Sequence, residues 1–123
     1  MRFALSPTHN PLDRRRFGAA SCSITLERDG ATTITVSGDL DHEGVMEIDD
    51  EVRSAVKRAP GRIVFDCSEV SFVDSSGLRL LVEAESMAYS ASGRFTLRRP
   101  SPQLRTLLRI SGLDELMIIE GPN

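Results

Sequence analysis

The stretch Val70-Ser71-Phe72-Val73-Asp74-Ser75-Ser76-Gly77-Leu78 sets two hydroxyls beside a carboxylate at the expected entrance to a helix. Such a position supports two chemistries. A serine there can cap the helix by accepting from a free backbone N–H, and the cap can be Ser75 or Ser76. The other hydroxyl is then left outward on a tight turn, where the helix N-terminus tolerates added negative charge. Capping accounts for one serine and leaves the second without a structural reason.

Other chemistries lack their parts. A serine hydrolase needs a general base, yet the only histidines are His9 and His42, and no G-x-S-x-G elbow surrounds Ser75. The chain is therefore not expected to be an enzyme. His9, His42, Cys22 and Cys67 have no metal-ligand spacing, so no metal and no cofactor is implied. The two cysteines read as inert thiols in a reducing compartment. The stretch from Asp39 to Glu51 holds seven carboxylates and no Lys or Arg. Most of them read as a solvated helix face.

The elements that must position this loop follow from periodicity. Ile24 and Leu26 alternate with polar residues, Asp29-Gly30 supplies a hairpin turn, and Ile34 and Val36 resume the alternation. Val45, Ile48, Val52, Ala55, Val56 and Ala59 recur at spacings of three and four, predicting an amphipathic helix that stops at Pro60-Gly61. Arg62-Ile63-Val64-Phe65-Asp66 is a short apolar run that suits a central parallel strand buried on both faces. Ser71–Gly77 is expected to be a loop, followed by a helix carrying Leu78, Leu81, Val82, Ala84, Ala88 and Tyr89. Arg79 is placed to pair with Glu83 at i, i+4 or to meet a partner. A strand at Phe95 and Leu97, a helix over Ser101 to Ser111 and a strand over Leu116 to Ile119 complete the order. The fold class is α/β: a single domain whose mixed sheet opens with an antiparallel hairpin and continues with parallel strands, its helices packed mainly on one face.

Phe72-Val73-Asp74-Ser75-Ser76-Gly77-Leu78 resembles the signature loop of the STAS family, in particular the bacterial anti-sigma factor antagonists. Gly38-Asp39-Leu40-Asp41 and Ser111-Gly112-Leu113 are similar to two further segments of that family, and the resemblance spans roughly residues 21–120. It implies that Ser75, the serine after the aspartate, accepts phosphate from an ATP-dependent serine kinase that is itself the anti-sigma factor. It implies a partner-facing surface of Asp41, Asp74, Ser75, Ser76, Gly77, Leu78 and Arg79, and a PP2C-type phosphatase that resets the switch. Arg79 stands where many relatives have a smaller or uncharged residue, which bears on kinase choice. The same family also supplies stress-signalling scaffolds, transporter tails and lipid-transport accessory subunits that work without this phosphorylation cycle. A transporter tail would follow a membrane domain, so a free-standing chain favours the regulator.

Composition agrees with a small globular regulator. The 123 residues are 40% apolar and 27% charged, enough for one core without staples. Residues 1–20 carry four Arg against one Asp, so the remainder is more acidic than the net charge of −3. They read as a flexible basic extension, with the domain over residues 21–123. An acidic body argues against direct nucleic-acid binding. No apolar run approaches the ~20 residues that span a bilayer, so no membrane contact and a cytoplasmic location are expected.

Overall fold

The computed structural model describes residues 19–59 and 61–121. Of the extension expected over residues 1–20, residues 1–18 lie outside the described residues. Ala20, just before the first strand, is already buried at 8% exposure.

The Asp29-Gly30 turn forms as the sequence predicts, joining β1 (Ser21–Leu26) to β2 (Thr32–Leu40). The Asp29 carboxylate accepts from the Ala31 amide at 2.9 Å, and Gly30 takes the left-handed φ of +92° that a side chain would resist. The chain then alternates α1 (His42–Arg58), β3 (Arg62–Val73), α2 (Ser75–Ser90), β4 (Arg94–Arg98), α3 (Pro102–Ser111), a 3-10 turn (Leu113–Glu115) and β5 (Ile118–Glu120). Strand order across the sheet follows chain order; β1 is antiparallel to β2, and every later pairing is parallel. Each parallel step needs a helical crossover, and right-handed crossovers that all advance in one direction put all three helices on one face.

That face carries the core. Ile34 and Val36 of β2, Ile63 and Phe65 of β3, and Phe95 and Leu97 of β4 pack in one cluster with Ile48 and Val52 of α1, Leu81 of α2 and Leu104 of α3. Most of these side chains are fully buried, each worth about 1.5–3 kcal/mol relative to exposure. Val64 is also buried, although it points to the opposite face, so β3 is the doubly buried central strand its sequence suggests.

Five expectations need correction. Strand β3 does not stop at Asp66: its ladder with β2 continues through Val70 and Phe72 to Val73, across register shifts between Thr35 and Ser37 and between Gly38 and Asp39. The loop expected over Ser71–Gly77 therefore shrinks to Asp74 alone. Ile24 is 38% and Leu26 75% exposed, because β1 is the edge strand and only Cys22 is partly covered. Tyr89 projects into solvent at 77% exposure, off the buried stripe of α2. The last strand begins at Ile118, after an exposed Leu116.

Candidate functional site

Two helices start side by side at the carboxyl ends of neighbouring strands. Leu40 and Val73 are register partners at the ends of β2 and β3, and each is followed by one aspartate and then a helix. Asp41 caps α1, its Oδ1 accepting from the Gly44 amide at 2.8 Å. Asp74 caps α2, its Oδ1 accepting from the Ser76 amide at 2.8 Å and the Gly77 amide at 3.4 Å. The Asp74 amide in turn donates to the Leu40 carbonyl at 3.3 Å, tying the second turn to the first.

Glycine makes this close approach possible. A Cβ on Gly77 would lie 2.5 Å from the Leu40 oxygen and 2.7 Å from the Leu40 Cβ, and one on Gly44 would lie 1.9 Å from the Asp39 oxygen. Both helices are thus pressed against the end of β2, and the side chains on their first turns emerge together.

Ser75, the first residue of α2, is exposed, and Ser76 is half-buried. Ser76 lines a surface groove of about 230 Å3 between α1 and α2, together with His42, Val45, Met46, Arg79 and Leu80. One wall is ionic: the Arg53 guanidinium donates to Asp49 at 2.8 Å and also pairs with Glu83 across the helix interface. Phe72, two residues before Asp74, is 42% exposed, and Met46 is 68% exposed. Burial, together with the nearby Asp41 charge, pushes the Asp39 carboxyl above its ordinary range. The paired helix starts are therefore acidic, with Phe72 and Met46 exposed nearby; Ser75 is exposed at the start of α2, while the groove itself is lined by Ser76. Among the described residues, no group of three His, Cys, Asp or Glu side chains could hold a metal ion.

The family model described as "Mlab, STAS domain" matches residues 24–120. The chain belongs to the STAS domain family. A curated relative, the anti-sigma F factor antagonist of Lysinibacillus sphaericus, is 31% identical over 86 residues, covering 69% of this chain and 74% of the relative. Two solved structures share 28% identity and the fold. The anti-sigma factor antagonist SpoIIAA in its unphosphorylated form superposes with a TM-score of 0.67, over 81% of this chain and 88% of that chain. The Bacillus cell fate determinant SpoIIAA in its phosphorylated form does so with a TM-score of 0.64, over 81% and 91%.

Within this STAS domain the expected site residues fall in three groups. Ser75 and Arg79 are exposed, and Arg79 has no ion-pair partner among the described residues. Asp41, Asp74, Ser76 and Leu78 are partly buried, with Leu78 packed against the core. Gly77 is buried and acts by letting α2 approach β2. Neither serine is the cap, as the sequence had suggested: Asp74 is, because β3 runs to Val73 and places that residue at the helix boundary. The Arg79–Glu83 pair does not form either, since Glu83 turns across the groove to Arg53 of α1. Sequence reasoning missed Met46 and His42. Met46 could have been found as an apolar residue off the Val45, Ile48, Val52 stripe, whereas His42 gives no signal until α1 and α2 are docked.

No helix among the described residues is long and apolar enough to cross a membrane.

Proposed function

We propose that this STAS domain is an anti-sigma factor antagonist in a cytoplasmic partner-switching pathway. Unmodified, it binds an anti-sigma factor that is also a serine kinase, so that the sigma factor is released. The kinase then transfers the γ-phosphoryl group of ATP to the Ser75 Oγ, which gives up its proton as ADP departs, and the complex dissociates. A PP2C-type phosphatase restores the hydroxyl. The domain itself performs no catalysis.

One observation carries this proposal: Ser75 is exposed at the first position of α2, directly after a cap that already uses the Ser76 and Gly77 amides. A phosphate on Ser75 cannot fold back onto those amides while Asp74 holds them. It would project from the surface with about −1.5 to −2 charges, beside the carboxylates of Asp74, Asp39 and Asp41. A partner fitted to a small neutral hydroxyl would then have to enclose an unpaired dianion. Losing a tenfold factor in affinity takes only about 1.4 kcal/mol, which an unpaired interfacial charge readily exceeds. The anti-sigma factor antagonists among its relatives support the partner class.

The test pairs mass spectrometry with titration. Incubation with the anti-sigma kinase and ATP is expected to add one phosphate at Ser75, Ser75→Ala to bind the anti-sigma factor like the unmodified protein, and Ser75→Glu to bind at least about tenfold more weakly. Phosphate on another residue, or equal affinities for the two variants, would defeat the proposal.

A further inference from the structure

Strand β3 is lopsided near its end. On one side its ladder with β2 continues to the Leu40–Val73 pair, but on the other its ladder with β4 ends at Asp66–Arg98. The far side of β3 near Val73 therefore has no strand beside it. Val73 is nevertheless 1% exposed, and a buried peptide group left without a partner is costly. Its partner comes from α3. The Gln103 Oε1 accepts from the Val73 amide at 3.1 Å, and the Gln103 Nε2 donates to the Val73 carbonyl at 3.2 Å.

A primary amide side chain carries the same donor and acceptor as a peptide group, so Gln103 stands in for one residue of a missing strand. Its own position is fixed by the start of α3, where the Ser101 hydroxyl accepts from the Leu104 amide at 3.1 Å and Pro102 opens the first turn. Val73 is followed by Asp74, held on the opposite side by the Leu40 carbonyl, and then by Ser75. The end of β3 is thus gripped from both edges immediately before the acceptor serine.

We infer that Gln103 is a positioning residue for Ser75, acting through the Val73 peptide to hold the acceptor hydroxyl where the kinase can use it. The inference rests on the proposed phosphorylation of Ser75, while its structural half stands apart from it. Phosphoryl transfer demands in-line placement of the attacking oxygen, and a displacement of about 1 Å far from the chemistry can cost up to a hundredfold in rate. Gln103→Leu removes both hydrogen bonds. Gln103→Glu keeps an acceptor for the Val73 amide but, when ionised, turns a negative oxygen toward the Val73 carbonyl; protonated, it recovers the donor.

The experiment uses the full chain, with amide exchange followed by NMR and phosphorylation by the anti-sigma kinase followed by steady-state kinetics. In Gln103→Leu the protection factor at Val73 is expected to fall about tenfold while that of Phe65 holds, and kcat for Ser75 to fall about tenfold with KM little changed. In Gln103→Glu the Val73 carbonyl repels the ionised carboxylate and drives the side chain off the Val73 peptide, so the Val73 protection factor should be low at neutral pH and recover as pH drops through the carboxyl range near about 4.3. A merely structural loss would show no such recovery. Unchanged Val73 protection in Gln103→Leu, a pH-independent Gln103→Glu, or unaltered kcat despite lost protection overturns the inference. Failure of the wild-type chain to accept phosphate overturns the proposed function instead, and the Val73 protection factors then decide the positioning alone.

Discussion

Gly77→Ala is expected to destabilise the protein although alanine is the better helix former. The added Cβ would sit 2.5 Å from the Leu40 oxygen, 2.7 Å from the Leu40 Cβ and 2.9 Å from the Val73 Cγ1. Ordinary carbon contacts begin near about 3.5 Å, so the start of α2 must retreat by roughly 1 Å. Two of the three obstacles belong to Leu40 at its backbone and Cβ, which cannot swing aside. Forced overpacking of this kind typically costs about 1–3 kcal/mol or more. Relief of glycine's conformational entropy returns about 0.5–1 kcal/mol at most. Retreat also stretches the Asp74 amide's bond to the Leu40 carbonyl, already 3.3 Å long. A net loss of about 1–2 kcal/mol follows, or roughly 3–12 °C in melting temperature for a domain of this size. Calorimetry or urea unfolding reads it directly. A Gly77→Ala protein that melts at or above the wild-type temperature would refute the close approach of α2 to β2, and with it the claim that glycine shapes the serine-bearing turn.

Three other outcomes follow from the same structure. Asp74→Ala should lose about 1 kcal/mol in urea unfolding through the missing α2 cap, while Ser75→Ala stays within about 0.5 kcal/mol; the reverse ranking would return the cap to the serine. Burial pushes the Asp66 carboxyl up, but the Ser68 amide and hydroxyl and the Arg99 guanidinium at 2.6 Å together hold it below its ordinary value. A depressed carboxyl stabilises the fold above its unfolded pKa of about 3.9 and loses that contribution as pH falls through the lower folded value. Asp66→Asn should accordingly be less stable at pH 7 and show a shallower acid transition; identical pH–stability curves would contradict the pairing. Burial, with Glu51 alongside, pushes the Cys22 thiol up to about 12, and burial pushes Cys67 higher still. Native protein at pH 8 should label with a thiol reagent at least about a hundredfold more slowly than unfolded protein, and fast native labelling would show an accessible thiolate.

Much of this was legible from residue order. The Val45, Ile48, Val52, Val56 stripe and the Asp29-Gly30 turn fix local structure by short-range rules, and the alternation of strands and helices leaves little choice of topology. The full length of β3 was not legible. Ser68, Glu69 and Ser71 interrupt its apolar run, and the irregular register opposite Gly38 breaks the period of two on which strand recognition depends. The cap stayed ambiguous for a related reason. Asp74, Ser75 and Ser76 are all good caps, and only the point where the strand ends chooses among them. Glu83 had a sequence neighbour of opposite charge in Arg79, yet its observed partner, Arg53, lies 30 residues away on another helix. Helix-surface spacing rules cannot see such a competitor. Gln103 escaped notice because an exposed glutamine in a first helical turn looks ordinary until the bare side of β3 is placed opposite it.

The single-residue joints at Asp41 and Asp74 bear on how a protein of this size can be recognised with discrimination. Recognition surfaces are commonly carried on long mobile segments that must freeze when bound. Here the hydroxyl rides on a stiff frame of strand end and helix start, with no slack on either side. Docking should therefore surrender little chain entropy, and a kinase or phosphatase would meet the same rigid shape at every encounter. Under the proposed cycle, what these enzymes would distinguish is chemical, the presence or absence of a phosphoryl group, with no change of backbone required to convey it.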